Sequence, residues 1–255
     1  QTCALPIYID SEEPTPTFIT WFKNDGKDAY QKDPDPESAE DGLDINEAVS
    51  VPEVPTRDGY TFLGWARLTE TKDNDNNTLI NGQSTENLAL DLTEDDLWLR
   101  YDSETGKFYA TSLTGGGVAA NTEVTQVAAD EKLAYHGMVA VWDTNEYDVT
   151  IQKTVVNGND NDLTQPYQID YSYGTTHTTG NVSLAHNGSE TLTAKIPYGT
   201  VFTVSESGYD DFEKTYSAQR TTSPDGVVLS TPVDVEAAGT GTFTITGNTT
   251  ITVTN

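Results

Sequence analysis

Apolar and polar residues alternate along most of this chain instead of recurring every three or four positions, and Thr, Val, Tyr, Gly and Asn dominate. Period-two alternation belongs to strands with one buried face, so the expected fold class is mainly β. In the C-terminal part, residues 147–255, the runs Val149–Val156, Tyr167–Tyr173, Asn181–Leu184, Glu190–Ile196, Val201–Glu206, Phe212–Ala218 and Thr242–Asn255, the last broken at Gly247, read as short strands separated by turns. Strands at that spacing predict a β-sandwich. Upstream, strand patterns occur at Thr17–Lys23, after the Asp58-Gly59 turn, at Leu97–Tyr101, at Lys107–Thr111 and at Leu133–Trp142.

One strand breaks its own pattern. In YDVTIQKTV, Tyr147–Val155, the residues Val149, Ile151, Lys153 and Val155 share one face, and that face reads as core. Burying an unpaired ammonium moves its pKa by roughly 3–5 units, about 4–7 kcal/mol at about 1.4 per unit. A small domain holds only about 5–15 kcal/mol in all. Lys153 therefore either lies at the rim with its charge in water or meets a partner inside.

Two candidate partners stand at core parity in other strands. Phe202, Val204 and Glu206 share a face of VFTVSES, and Ile251, Val253 and Asn255 share a face of TTITVTN. Three polar side chains on core faces of three strands suggest one buried site. The plainer alternative is a lysine that snorkels from a strand end, an ordinary Lys153–Glu206 salt bridge, and a strand that stops at Asn255. In the shared-site reading, a desolvated lysine gives up its proton more readily and becomes a nucleophile. A protonated Glu206 carboxyl can hydrogen-bond the Asn255 carboxamide and polarise it for attack. Ammonia then leaves and an amide remains, helped by the high effective concentration that folding imposes.

Composition narrows the function classes. The formal net charge is -28, which repels phosphate backbones and anionic lipid and argues against nucleic-acid or membrane-surface partners. No run of 18 apolar residues occurs, so no membrane insertion is expected within this stretch. Cys3 is the one cysteine, which rules out an internal disulfide or a cysteine-based metal cluster. It lies in QTCALPI, residues 1–7, which reads as the translation of a sequencing-library adapter; the natural N-terminus is then expected to be missing. Residues 8–16, acidic and proline-bearing, read as a linker. Residues 24–47 read as an acidic, irregular loop with one helical turn near Asp44–Ala48.

Other sites are weaker. Asp73, Asp75 and Asn77 begin like a calcium loop, but Thr78 and Ser84 stand where the glycine and the closing acid belong, so a solvated turn is the expected reading. Asn157–Asp162 reads as a hairpin tip, and Gly115–Gly117 as a flexible turn. His136, His177 and His186 lack metal-ligand spacing. No cofactor motif and no G-x-S-x-G nucleophile appears. Among the tryptophans, Trp65 and Trp142 sit in framework strands, which leaves Trp98 as the candidate for ligand stacking.

Two stretches resemble known families. Pro55–Trp65, PTRDGYTFLGW, resembles the Listeria-Bacteroides (internalin B-type) repeat, a small β-grasp-like module of bacterial surface proteins, and Leu133–Trp142 resembles its closing strand. Residues 17–143 would form that module, with 68–129 as a long insertion. VTIQKTV, IPYGTVFTVSES with Gly208-Tyr209, and TITVTN resemble the collagen-adhesin B-type domain over residues 147–255. That family has a transthyretin-like, immunoglobulin-like sandwich and builds stalks of Gram-positive pilins and wall-anchored adhesins. The resemblance implies an isopeptide cross-link between Lys153 and Asn255, promoted by Glu206. It also implies a structural or adhesive, non-enzymatic part of a secreted protein, attached to peptidoglycan through regions outside this stretch, with a host protein or glycan as partner. The rival reading is a glycan- or host-protein-binding module that the stalk presents.

Overall fold

The computed structural model describes residues 19–27, 29–33, 47–75, 77–114, 117–128, 136–209 and 211–255. The adapter-like start, the linker, Asp44–Asn46 and most of the Gly115–Gly117 turn lie outside them; Ala48 opens a strand. The protein is mainly β and divides into two compact units, one of residues up to Pro55 with Phe62–Trp142, the other of Asp143–Asn255 with Thr56–Thr61.

The first unit contains β1 (Ile19–Phe22), β2 (Ala29–Asp33), β3 (Ala48–Ser50), most of β4 (Tyr60–Lys72), β5 (Thr78–Ile80), β6 (Gln83–Ser84), β7 (Leu97–Asp102), β8 (Lys107–Ala110), β9 (Gln126–Ala128) and most of β10 (His136–Thr144). Its main sheet runs β2-β1-β10-β4-β5-β6, with β1 parallel to β10. The strands at Leu97 and Lys107 join this sheet, since β7 pairs with β4 and β8 with β7. Trp21 and Trp65 meet edge to face at 4.9 Å in a core shared with Ile19, Leu99 and Met138.

The second unit contains β11 (Glu146–Tyr147), β12 (Val149–Thr154), α1 (Asp160–Thr164), β13 (Tyr167–Tyr173), β14 (Thr178–Leu184), β15 (Ser189–Thr191), β16 (Ile196–Pro197), β17 (Val201–Glu206), β18 (Thr215–Thr222), β19 (Val228–Asp234), β20 (Ala237–Gly239), β21 (Thr242–Thr244) and β22 (Thr249–Thr254). Two five-stranded sheets, β15-β12-β22-β18-β19 and β14-β13-β17-β21-β20, enclose a core of Val149, Ile151, Ile169, Phe202, Val204, Phe243, Ile251 and Val253. This is the expected sandwich. Phe202 stacks against both Tyr171 and Tyr173, at 5.7 and 5.6 Å.

Three local features depart from the sequence reading. Asn157–Asp162 is no hairpin tip: Asn159 accepts from the amides of Asn161 and Asp162 while Asp162 accepts from that of Asn159, and this capping box starts α1. The run Glu190–Ile196 is split into β15 and β16. The strands β19 and β20 lack a buried face, so their alternation carries no signal.

Gly241 closes the β20–β21 turn at φ +65, and a Cβ there would come within 2.3 Å of the Val204 carbonyl oxygen. Gly226 has a similar φ of +78 with open space around it. Gly241→Ala should therefore cost about 2–3 kcal/mol and Gly226→Ala only about 1 kcal/mol, measured as unfolding free energies in denaturant.

Candidate functional site

The strand β12 is held on both sides where it carries Lys153. On one side the β14–β15 turn brackets it: the Lys153 amide donates to Gly188 O at 2.9 Å, and the Asn187 amide donates to Lys153 O at 2.8 Å. Val155 N donates to Nδ1 of His186 at 2.9 Å. On the other side β22 runs parallel, with Lys153 opposite Val253. The ladder continues past Thr254, because Asn255 N donates to Thr154 O at 3.1 Å and Val156 N to Asn255 O at 2.7 Å. Asn255 is thus fixed in register, one inward position beyond Val253. Glu206 ends β17 in the opposite sheet, across from Ile169 of β13.

All three side chains point between the sheets. Lys153 is 0% exposed, Glu206 6% and Asn255 8%. One oxygen of the Glu206 carboxyl, Oε2, lies 2.8 Å from Lys153 Nζ. The other, Oε1, accepts from Asn255 Nδ2, also at 2.8 Å. The carboxyl group thereby bridges the amine and the carboxamide. Tyr167, fully buried, turns its ring face toward Lys153 Nζ at 4.6 Å from the centroid. Lys153 Nζ, Glu206 Oε2 and Asn255 Oδ1 are all buried without a directed hydrogen bond. The Nζ–Oε2 approach is thus a close charge contact rather than an aligned bond. Burial holds the Lys153 ammonium below its ordinary pKa, and the opposing influence of Glu206 does not restore it.

Of the other candidates, Trp98 is partly buried against the first unit's core, with its Nε1 enclosed and the Arg67 guanidinium 6.0 Å from its ring centroid. Asp73 closes the β4–β5 turn by accepting from the amides of Asp75 and Asn77 at 2.9 and 2.8 Å and from Asn77 Nδ2 at 3.0 Å. Among the described residues no group of His, Cys, Asp and Glu is arranged to hold a metal ion. His177 sits in an exposed turn and His186 caps β12, so the two do not converge. Sequence reasoning missed Tyr167 and His186 as neighbours of the site. Tyr167 was detectable in principle, since it stands at core parity with Ile169; the backbone role of His186 leaves no sequence signal.

Residues 149–255 match the profile of a domain family of unknown function, DUF5979. No curated protein sequence matches the chain. Among solved structures, an adhesin from Mobiluncus mulieris that contains intramolecular disulfide, isopeptide and ester cross-links is similar at 12% identity, over 78% of this chain and 86% of that one, with a TM-score of 0.34. The major pilin T3.2 of Streptococcus pyogenes is similar at 10% identity over 94% and 97%, with a TM-score of 0.36. The pilus-presented adhesin Spy0125 (Cpa) shares 14% identity over 53% of this chain and 33% of its own, with a TM-score of 0.29. At identities and scores this low, shared function does not follow.

The lowered Lys153 pKa fixes a sign for pH dependence. Just below the ordinary value of 10.5 the unfolded chain binds a proton at this lysine that the folded chain holds less firmly, so stability rises with pH. The buried Tyr147 and Tyr167, raised from 10.0, act in the opposite sense above that value. In Asn255→Ala the unfolding free energy should climb as pH is raised toward 10.5 from below. The double variant Lys153→Met, Asn255→Ala should lose that part of the slope in denaturant titrations.

Proposed function

We propose that residues 147–255 form a load-bearing stalk module of a secreted, cell-wall-attached bacterial surface protein, closed by an autocatalytic amide bond between Lys153 and Asn255. The observation that carries this reading is the Glu206 carboxyl, which sits 2.8 Å from Lys153 Nζ and 2.8 Å from Asn255 Nδ2 in one buried pocket. The neutral amine of Lys153 attacks Asn255 Cγ. Glu206 hydrogen-bonds the carboxamide and relays one proton from Nζ to Nδ2, the Cγ–Nδ2 bond breaks, and ammonia leaves. The product replaces a buried amine and a buried primary amide with one secondary amide, which removes the desolvated charge that β12 otherwise carries. This is a single self-modification with no turnover.

The position of the bond suits a stalk. Closing a loop of roughly 100 residues contributes about 4.7 kcal/mol on the chain-entropy estimate. Tension applied at the start of β12 and the end of β22 would load a covalent bond instead of the strands between. The resemblance of residues 147–255 to collagen-adhesin B-type domains, and of Pro55–Trp65 and Leu133–Trp142 to the surface-protein repeat, supports the same setting.

Intact mass of the purified chain tests the bond. The expected mass is lower than the sequence mass by one ammonia, with a branched Lys153–Asn255 peptide after digestion, while Lys153→Ala and Glu206→Ala both keep full mass and unfold at lower temperature. A folded wild-type chain at full mass would sink the proposal.

A further inference from the structure

The amide of Glu206 has no partner available within its own sheet. Amides along a strand point to alternate sides, so those of Val204 and Glu206 point the same way, toward β21. Val204 N donates to Gly241 O at 2.8 Å, at the turn where β21 begins. The next amide on that side, that of Glu206, extends past the end of β21. It is met from the opposite sheet: Glu206 N donates to the hydroxyl of Tyr216 at 3.2 Å.

Tyr216 is well placed to hold that contact. It lies on β18 directly across from Val253, two residues before Asn255, and it packs partly buried against the sandwich core. Its ring passes beside Gly241, where a Cβ would approach the ring's Cδ1 to 3.5 Å. One side chain therefore ties the strand end that carries the acid to the strand that carries the carboxamide.

We propose that Tyr216 is a positioning residue for cross-link formation: its hydroxyl, accepting from the Glu206 amide, holds the end of β17 where the carboxyl reaches both Lys153 Nζ and Asn255 Nδ2. This rests on the cross-linking reading above. Glu206 follows the last paired residues of β17 on the β21 side, so without the Tyr216 acceptor its amide is buried and unpartnered. The strand end then moves to find water, and the carboxyl loses the simultaneous contact with amine and carboxamide on which proton relay depends.

The test follows the full chain after cell-free synthesis, quenched at intervals and read by intact mass, for wild type, Tyr216→Phe and Tyr171→Phe. The last removes a hydroxyl from the same core without touching Glu206. Tyr216→Phe should slow the loss of ammonia about fivefold or more, and Tyr171→Phe should leave the rate near wild type. In the Lys153→Ala background, where no bond forms, hydrogen exchange of the Glu206 amide should quicken in Tyr216→Phe while the denaturation midpoints of the two tyrosine variants stay comparable. Equal cross-linking rates for Tyr216→Phe and wild type would overturn the role of Tyr216 alone. An equal slowing in both tyrosine variants would reduce it to general destabilisation, and a wild-type chain that never loses ammonia would overturn the cross-link and this role together.

Discussion

A lysine enclosed between two sheets has to be matched, and the C-terminal unit is built around how that is done. The desolvation of one ammonium is comparable with the whole stability of a small domain, so the strands that surround Lys153 cannot be arranged freely. β22 must run beside β12 and extend past it by one inward position, or Asn255 would not reach the pocket. β17 must end on an acid rather than on another apolar residue. Tyr167 must present a ring face, because a second polar group there would need a partner of its own. These demands fall on three strands that lie in two different sheets, and the site is consistent only when the sandwich is complete.

Much of this was legible in the sequence because a strand has a period of two. Parity alone places Lys153, Glu206 and Asn255 inward, and each is buried in the structure. Parity carries no information on which strands are neighbours, so the parallel register of β12 with β22 and the reach of Glu206 across the core could not be read from it. The same limit explains β19 and β20, whose residues are almost all exposed on both faces and show no alternation to detect. α1 was missed for a different reason. Asn and Asp favour turns and helix starts alike, and only the reciprocal bonds between Asn159 and Asp162 decide between them. In the first unit, the strands at Leu97 and Lys107 were visible, but their membership of the main sheet depends on pairing with β4, again a matter of neighbours. Tyr216 shows the limit most sharply, since its contribution is one hydroxyl meeting a backbone amide that an absent sheet neighbour leaves bare.

The parallel pairing of β12 with β22 has a consequence for timing. They are the first and last strands of the two five-stranded sheets in sequence, and the register between them spans the whole intervening chain. Contacts of that separation form late, after the loop between them has been closed by everything else. A chain emerging from the ribosome presents β12 long before β22, so Lys153 spends that interval exposed to water and protonated. On the proposed cross-linking, reactivity would begin only when β22 docks and water is expelled. A bond made there would be a permanent record that folding had finished: molecules that misfold or stall would carry no such mark, and those that fold once could not afterwards be drawn out into a linear thread.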